Sequence, residues 1–325
     1  YITRDRTEHR AMLRRAAGGG VVIAGTTFAK FAIAAIGLNA FWTGLWSGVN
    51  YALSFLLVML LHWTVATKQP AMTAPALAAS LPADGDDADE AQIEAFVDRV
   101  AQLIRSQVAG IIGNVATCVP VVVVVALLLQ WIWRAAFGLG TPGAAKAPGV
   151  IESLSLLGPT PLFAAFTGVI LFASSLLAGW AENWFVLHRL DSALALNPRI
   201  VALLGPARAR RWATWWRANI SGVAANASLG MMLGVVPALV GFFGLPLDVR
   251  HVTLASGQMA AAAVVIGPSV LWMPVLWWCF AGIAVVGLLN VAVSFALAFG
   301  VALRSRGVRL GERRRIRHAL LRRMR

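Results

Sequence analysis

Five stretches of this chain contain no Asp, Glu, Lys or Arg: 31–67, 106–133, 153–181, 218–247 and 251–303. No other feature constrains the fold so strongly. A helix needs about 20 apolar residues to cross ~30 Å of hydrocarbon. A chain in lipid must satisfy its own backbone polar groups, so only helices and closed barrels cross. No strand-like alternation is visible, which predicts an all-α, polytopic membrane helical bundle. Composition agrees: 59% of residues are apolar and 13% charged, about half the ~25% usual for soluble domains. A soluble globular protein, a disordered tail and a collagen-like fibre are excluded.

The stretch 31–67 is too long for one span and slightly short for two, but 18–29 is also free of charge. The first span is therefore expected from about Val21 to Leu38, a turn over 39–48, and a second span from about Val49 to Val65. Trp42 and Trp46 would then lie at an interface. Stretches 106–133, 153–181 and 218–247 hold one span each. In the last stretch, 252–266 is only 15 residues, about 22 Å as a helix. Gly267, Pro268 and Pro274 then interrupt it, so 252–266 is expected to be a short re-entrant or interfacial helix. A final span over 276–303 makes six transmembrane helices.

Cytoplasmic flanks carry the excess of Lys and Arg. The chain has 28 basic and 14 acidic residues, a net charge of +14. Five Arg lie in 1–17, six in 189–217 and ten in 304–325. Six spans put all three groups on one side, whereas seven would put the Arg-rich tail outside. Both termini are thus expected in the cytoplasm. The segments read as a basic N-terminal piece (1–17), the first two spans (18–66) and a cytoplasmic loop (67–107). Spans three to six follow over 108–303, with the basic loop 189–217 and the short helix 252–266, and then the Arg-rich tail 304–325. In the loop, Ile93, Phe96, Val97, Val100 and Ile104 mark an acidic amphipathic helix that Asp86 or Asp87 can cap, that can run unbroken into the third span and that offers a surface to a protein partner.

Burying a charge in lipid costs ~2.5–3.5 kcal/mol even on the gentlest scale, so Lys30 and Glu182 stand out. Lys30 falls near the middle of the first expected span. Glu182 and Asn183 fall at the cytoplasmic end of the fourth, between Trp180 and Trp184. The pair reads either as an ion or substrate site, or as a snorkelling lysine and an interfacial carboxylate. Asn114, Asn226 and Asn290 fall inside spans and are expected to bond across helices. Two GxxxG pairs, Gly44/Gly48 and Gly230/Gly234, permit close helix contact.

Arg208, Arg210, Arg211, Trp212, Trp215, Trp216 and Arg217 mix bases with aromatics. They predict an amphipathic helix lying on the anionic inner leaflet. The alternative is nucleic acid, bound by stacking and phosphate contacts. Asp248, Arg250 and His251 form a charged turn expected outside the membrane, just after the fifth span. Asp248 and Arg250 would tie down the entrance of the short helix, with Thr253 or Ser256 as its cap. Cys118 and Cys279 read as packing residues, and no cysteine–histidine cluster predicts a metal. No motif for a cofactor or for catalysis is present.

Several strings are familiar: Asn50-Tyr51-Ala52-Leu53-Ser54; the run from Ala66 through Lys68, Gln69 and Pro70 to Thr73; Gly179-Trp180 with Glu182-Asn183; His188-Arg189; Asn219-Ile220-Ser221-Gly222; and the run from Gly244 through Asp248, Arg250 and His251 to Leu254. Together they resemble the bacterial family of site-specific recombinase transmembrane proteins, over about residues 18–303. The resemblance implies DNA strand exchange and a soluble region ahead of the membrane part. The chain opens on Tyr1 rather than Met and is expected to be a fragment or processed form without that region. Strand exchange needs a Tyr or Ser nucleophile beside cations that stabilise the phosphorane. Tyr51 lies in a charge-free run, and Ser106, Ser192 and Ser305 lie near Arg without a recognisable setting. The functional readings are a non-catalytic membrane scaffold or partner-binding bundle, a secondary transporter or channel, and the membrane half of a DNA recombination protein.

Overall fold

The computed structural model describes residues 6–65, 73, 77, 90–137 and 144–305. Its helices are α1 (Arg6–Ala35), α2 (Ala40–Leu60), α3 (Glu90–Phe137), α4 (Ala147–Leu154), α5 (Thr160–Leu187), α6 (Leu190–Leu196), α7 (Pro198–Leu204), α8 (Pro206–Phe242), α9 (Val252–Ile266) and α10 (Pro274–Ser305). Six of them (α1, α2, α3, α5, α8 and α10) are long and apolar enough to cross a membrane. No strand forms among the described residues. The protein is an all-α membrane bundle.

Neighbouring contacts give the direction of each long helix. Gly113 of α3 lies against Leu13 and Ala16 of α1, and Gly20 lies against Thr117 and Cys118, so α1 and α3 run the same way. Gly222, Gly230 and Gly234 of α8 meet Met59, Ala52 and Gly48 of α2 in turn, so these two helices are antiparallel. Asn290 of α10 donates to the Ala164 carbonyl at 2.9 Å, and Gly168 lies on Val293, so α5 and α10 are parallel. The two GxxxG pairs face each other across the α2–α8 seam. A Cβ on Gly234 would sit 2.2 Å from the Gly48 nitrogen, and one on Gly230 2.2 Å from the Ala52 nitrogen. Only glycine permits that approach.

These directions gather the Arg-rich segments at one end of the bundle. There the Thr64 N–H donates to the Arg15 carbonyl at 3.1 Å. Glu182 pairs with Arg217 at 3.6 Å, and Phe96 of α3 stacks on Phe299 of α10 at 5.3 Å. The opposite end holds the turns 36–39, 155–159 and 267–273 and the exit of α8 at 243–244.

Several local expectations change. The turn expected over 39–48 shrinks to four residues, because the Asn39 Oδ1 accepts the Trp42 N–H at 3.0 Å and starts α2 at Ala40. α1 begins well before Val21, so Lys30 lies five residues from its C-terminal end rather than mid-span. The acidic helix does run unbroken into the third span, as the sequence allows, in one 48-residue helix. Its buried stripe is Phe96, Val97, Val100 and Leu103, while Ile104 faces outward. The C-terminal turns of α10 cover that stripe through Phe299, Ala302 and Leu303. Ile93's side chain and Asp86 and Asp87 lie outside the described residues. The basic segment before the fifth span is not a separate surface helix: it is the first turns of α8, 37 residues long. Gly205, with φ of 77°, turns the chain into it.

The short helix α9 spans 252–266 as expected. It packs against α1, α3, α4 and α10. Every residue of its first three turns except Gln258 is buried. A helix lying on a leaflet would leave one face out, so the interfacial alternative gives way to the re-entrant one. The small side chains Ala255, Ser256, Gly257, Ala260, Ala261 and Ala262 let four neighbours close around it. The octapeptide helix α4, absent from the sequence-based reading, seals one side with Ile151 and Leu154.

Candidate functional site

The chain leaves α8 through Gly244, whose φ of 76° reverses it, a conformation costly for any residue with a Cβ. Residues 245–251 then run back into the bundle without helix or strand. Arg250 and His251 are therefore not in an external turn, as the charge pattern predicts. His251 packs on Phe55 at 5.9 Å, and Phe55 is the sixteenth residue of α2, which puts it roughly 22 Å from that end of the helix. The α9 N-terminus lies deep as well: the Cys118 thiol contacts the Thr253 carbonyl at 3.7 Å. The α9 C-terminus returns outward, where the Gln130 side chain donates to the Val264 carbonyl at 3.3 Å.

The Asp248 Oδ1 accepts the Val249 N–H at 2.7 Å. The Arg250 guanidinium pairs with the other Asp248 oxygen. It also donates to the Ser153 carbonyl at 3.3 Å and lies 5.4 Å above the Phe163 ring. The Arg250 backbone N–H donates to Thr167 Oγ1 at 2.7 Å. Arg250 is only 7% exposed, yet its Nε has no hydrogen-bond partner among the described residues. An ionised side chain at this depth is expensive unless paired, and it marks a functional position by default. Arg250 is thus both keystone and cation: it clamps the descending segment onto α4 and α5 and keeps one donor free.

The cap of α9 differs from expectation. His251 stands at the N-cap without a side-chain cap bond, and Ser256 Oγ instead donates back to the Val252 carbonyl at 2.8 Å. The buried Thr253 Oγ1 has no partner. First-turn N–H groups of a helix lack intrahelical acceptors, and the N-terminal end carries roughly +0.5 of a charge.

A cleft opens beside this N-terminus. Lys30, Tyr51, Arg250, His251 and Gln258 line it, with apolar walls from Leu233, Val249, Leu254 and Ala255. It has room for about one water. Lys30 is half-buried and makes no ion pair or hydrogen bond among the described residues. Sequence reasoning missed Gln258 as a site member and, beside it, Tyr51. The only available signal was its hydroxyl inside a charge-free run, next to Asn50, whose side chain donates to the Thr26 carbonyl at 3.0 Å.

The structure does not bring Lys30 and Glu182 together. Glu182 lies at the basic end in a half-exposed pair with Arg217, and Asn183 is exposed beside it. Of the intramembrane amides, Asn114 bonds across helices to the Ala16 and Thr64 carbonyls at 2.5 and 2.9 Å. Asn290 does so to Ala164. Asn226 instead donates to Gly222 of its own helix at 2.8 Å. His188 ends α5, its Nδ1 2.9 Å from the Trp184 carbonyl, and Arg189 follows with a φ of 48°. Arg208, Arg210, Arg211, Trp212, Trp215 and Arg217 are exposed on α8, whereas Trp216 is half-buried. Ala209 and Ala213 turn inward. Lys68, Gln69 and Pro70 lie outside the described residues. Among the described residues, no group of three or more His, Cys, Asp and Glu could hold a metal ion.

The family model for site-specific recombinase matches residues 1–325, the whole chain. The chain belongs to the site-specific recombinase family. No curated protein and no solved structure matches it. In this recombinase-family chain, Tyr51, Lys30, Arg250 and His251 share one cleft, and by residue type they are what phosphoryl transfer would use. Their setting is not what DNA would need. Tyr51 is 3% exposed, and a cleft with room for about one water cannot admit a duplex whose major groove alone is about 12 Å wide.

Proposed function

We propose that this chain works as a non-catalytic membrane scaffold. Its basic end would face the cytoplasm, hold anionic head groups and present a platform to a partner. The observation that carries this reading is the convergence of the Arg-bearing segments on one end of the bundle. Arg10, Arg14 and Arg15 of α1 and the first turns of α8 lie there, and the sequence runs on from Arg304 into ten arginines over 304–325. Around them, Leu187, Leu196 and Leu203 are at least 72% exposed, beside the exposed Arg189, Arg199, Arg208, Arg210 and Arg211. Bare leucines interleaved with arginines suit the boundary between acyl chains and head groups. The positive-inside tendency supports placing both termini inside, and the resemblance to a bacterial membrane family supports an inner-membrane location.

The partner would meet exposed charge rather than the apolar stripe of α3, which α10 covers. Glu94 and Asp98 remain on its outer face. The test is native mass spectrometry of the purified chain with phosphatidylglycerol and phosphatidylcholine. Selective retention of phosphatidylglycerol, lost when Arg208, Arg210 and Arg211 become Gln, is the expected result. Equal retention of both lipids would overturn the lipid part. Salt-dependent binding of duplex DNA at this end would favour the recombination reading instead. A second reading, secondary transport, is favoured by the re-entrant segment alone, since broken helices at membrane depth recur at substrate sites.

A further inference from the structure

The cleft beside α9 lies away from the basic end that carries the scaffold reading, and its chemistry is different. Four observations converge there. Lys30 brings a positive charge with no counter-charge among the described residues. Arg250 is buried and lines the cleft, with its Nε unpartnered. The α9 N-terminus has no side-chain cap, so its first-turn N–H groups and partial positive charge face the same region. None of the residues lining the cleft is acidic. Asp248 balances one of the two cations from outside the lining.

We propose that this cleft binds a small monovalent anion: a halide, or a planar ion of similar size such as nitrate or formate. Lys30 supplies the compensating charge, the α9 N-terminus supplies backbone donors, and Tyr51 and Gln258 lend neutral polar groups. A half-helix pointing its N-terminus at an anion within the membrane is an arrangement that low dielectric strengthens. The narrow space selects size. A cleft this small favours the smallest anions over phosphate esters and lipid head groups. The anion resolves what is otherwise an unbalanced intramembrane lysine.

The experiment uses the full chain in an uncharged detergent. Its melting temperature is compared in sodium chloride and sodium gluconate at equal ionic strength. We expect a saturable rise of about 2–4 °C with chloride at roughly ten times its Kd, reproduced by nitrate and formate. Lys30→Met should abolish the rise while melting no lower than the parent in gluconate, because Lys30 has no partner to lose. Arg217→Gln, at the other end of the bundle, should keep the rise. Equal melting in the two salts, or a chloride rise that survives Lys30→Met, would overturn the proposal. So would an equal rise from phosphatidylglycerol in mixed micelles without chloride, which would assign the site to a head group. Should Lys30→Met fail to fold, chloride-35 line broadening by the parent chain decides the matter. Excess broadening displaced by formate but not gluconate supports the site, and its absence refutes it. Lipid retention at the basic end is read separately, so either idea can fail alone.

Discussion

Replacing Gly234 by Ala tests the seam on which the bundle closes. The added Cβ would lie 2.2 Å from the Gly48 nitrogen and 2.4 Å from both the Gly44 carbonyl oxygen and the Gly48 Cα. Comfortable contact lies near 3.5–4.0 Å. All three neighbours are backbone atoms of α2, so no side chain can swing away. The helices must part by roughly 1 Å, a gap that forfeits a quarter to a half of each dispersion well along the seam. A loss of about 1–2 kcal/mol is expected, within the usual range for overpacking. Gly241→Ala is the control, since a Cβ there meets nothing within 4 Å. Reversible unfolding in mixed micelles with rising SDS should show Gly234→Ala shifted by that amount and Gly241→Ala unshifted. Equal stability of Gly234→Ala and the parent would refute the close crossing of α2 and α8.

Other outcomes follow from named contacts. Asn114→Leu removes two interhelical bonds and should cost about 1 kcal/mol in the same assay, whereas Asn226→Leu, which loses only a bond within its own helix, should cost less. Removing the Arg250 guanidinium with Arg250→Leu leaves Asp248 without its ion pair, while the Ser153 carbonyl keeps the Thr160 hydroxyl, so a loss of about 1–2 kcal/mol is expected, partly restored in Asp248→Asn/Arg250→Leu. Cysteines placed singly along 252–262 should resist an aqueous thiol reagent everywhere except near position 258, and uniform labelling would contradict a helix enclosed by protein. Reporter fusions after Ala145 should read periplasmic and those after Arg210 and Arg325 cytoplasmic; a periplasmic C-terminus would remove the orientation on which the scaffold reading rests.

The sequence alone determined that the chain lives in lipid, how many helices cross and which ends they share. Those properties depend on length, apolarity and the side on which Arg accumulates, and each is a sum over local residues. It also located α9 to the residue, because Gly267 directly followed by Pro268 is a strong local stop: glycine takes the positive φ of 88° at the C-cap, and proline has no N–H with which to continue the helix. Tertiary structure alone decided what sits at depth. By composition, 246–251 is a charged turn, and a charged turn belongs in water. It enters the bundle only because Thr167, Ser153, Phe163 and Asp248 together satisfy Arg250, and no local pattern records four partners drawn from three segments. The same reason hid the cleft. Lys30, Tyr51 and Gln258 are far apart in the chain, and Lys30 gains its meaning from the N-terminus of a helix more than two hundred residues away. Conversely, Lys30 and Glu182 looked alike as rare charges near apolar runs, and the packing put them at opposite ends. Periodicity also named the wrong turn of α3, Ile104 in place of Leu103, because only the position of α10 decides which side of that helix is covered.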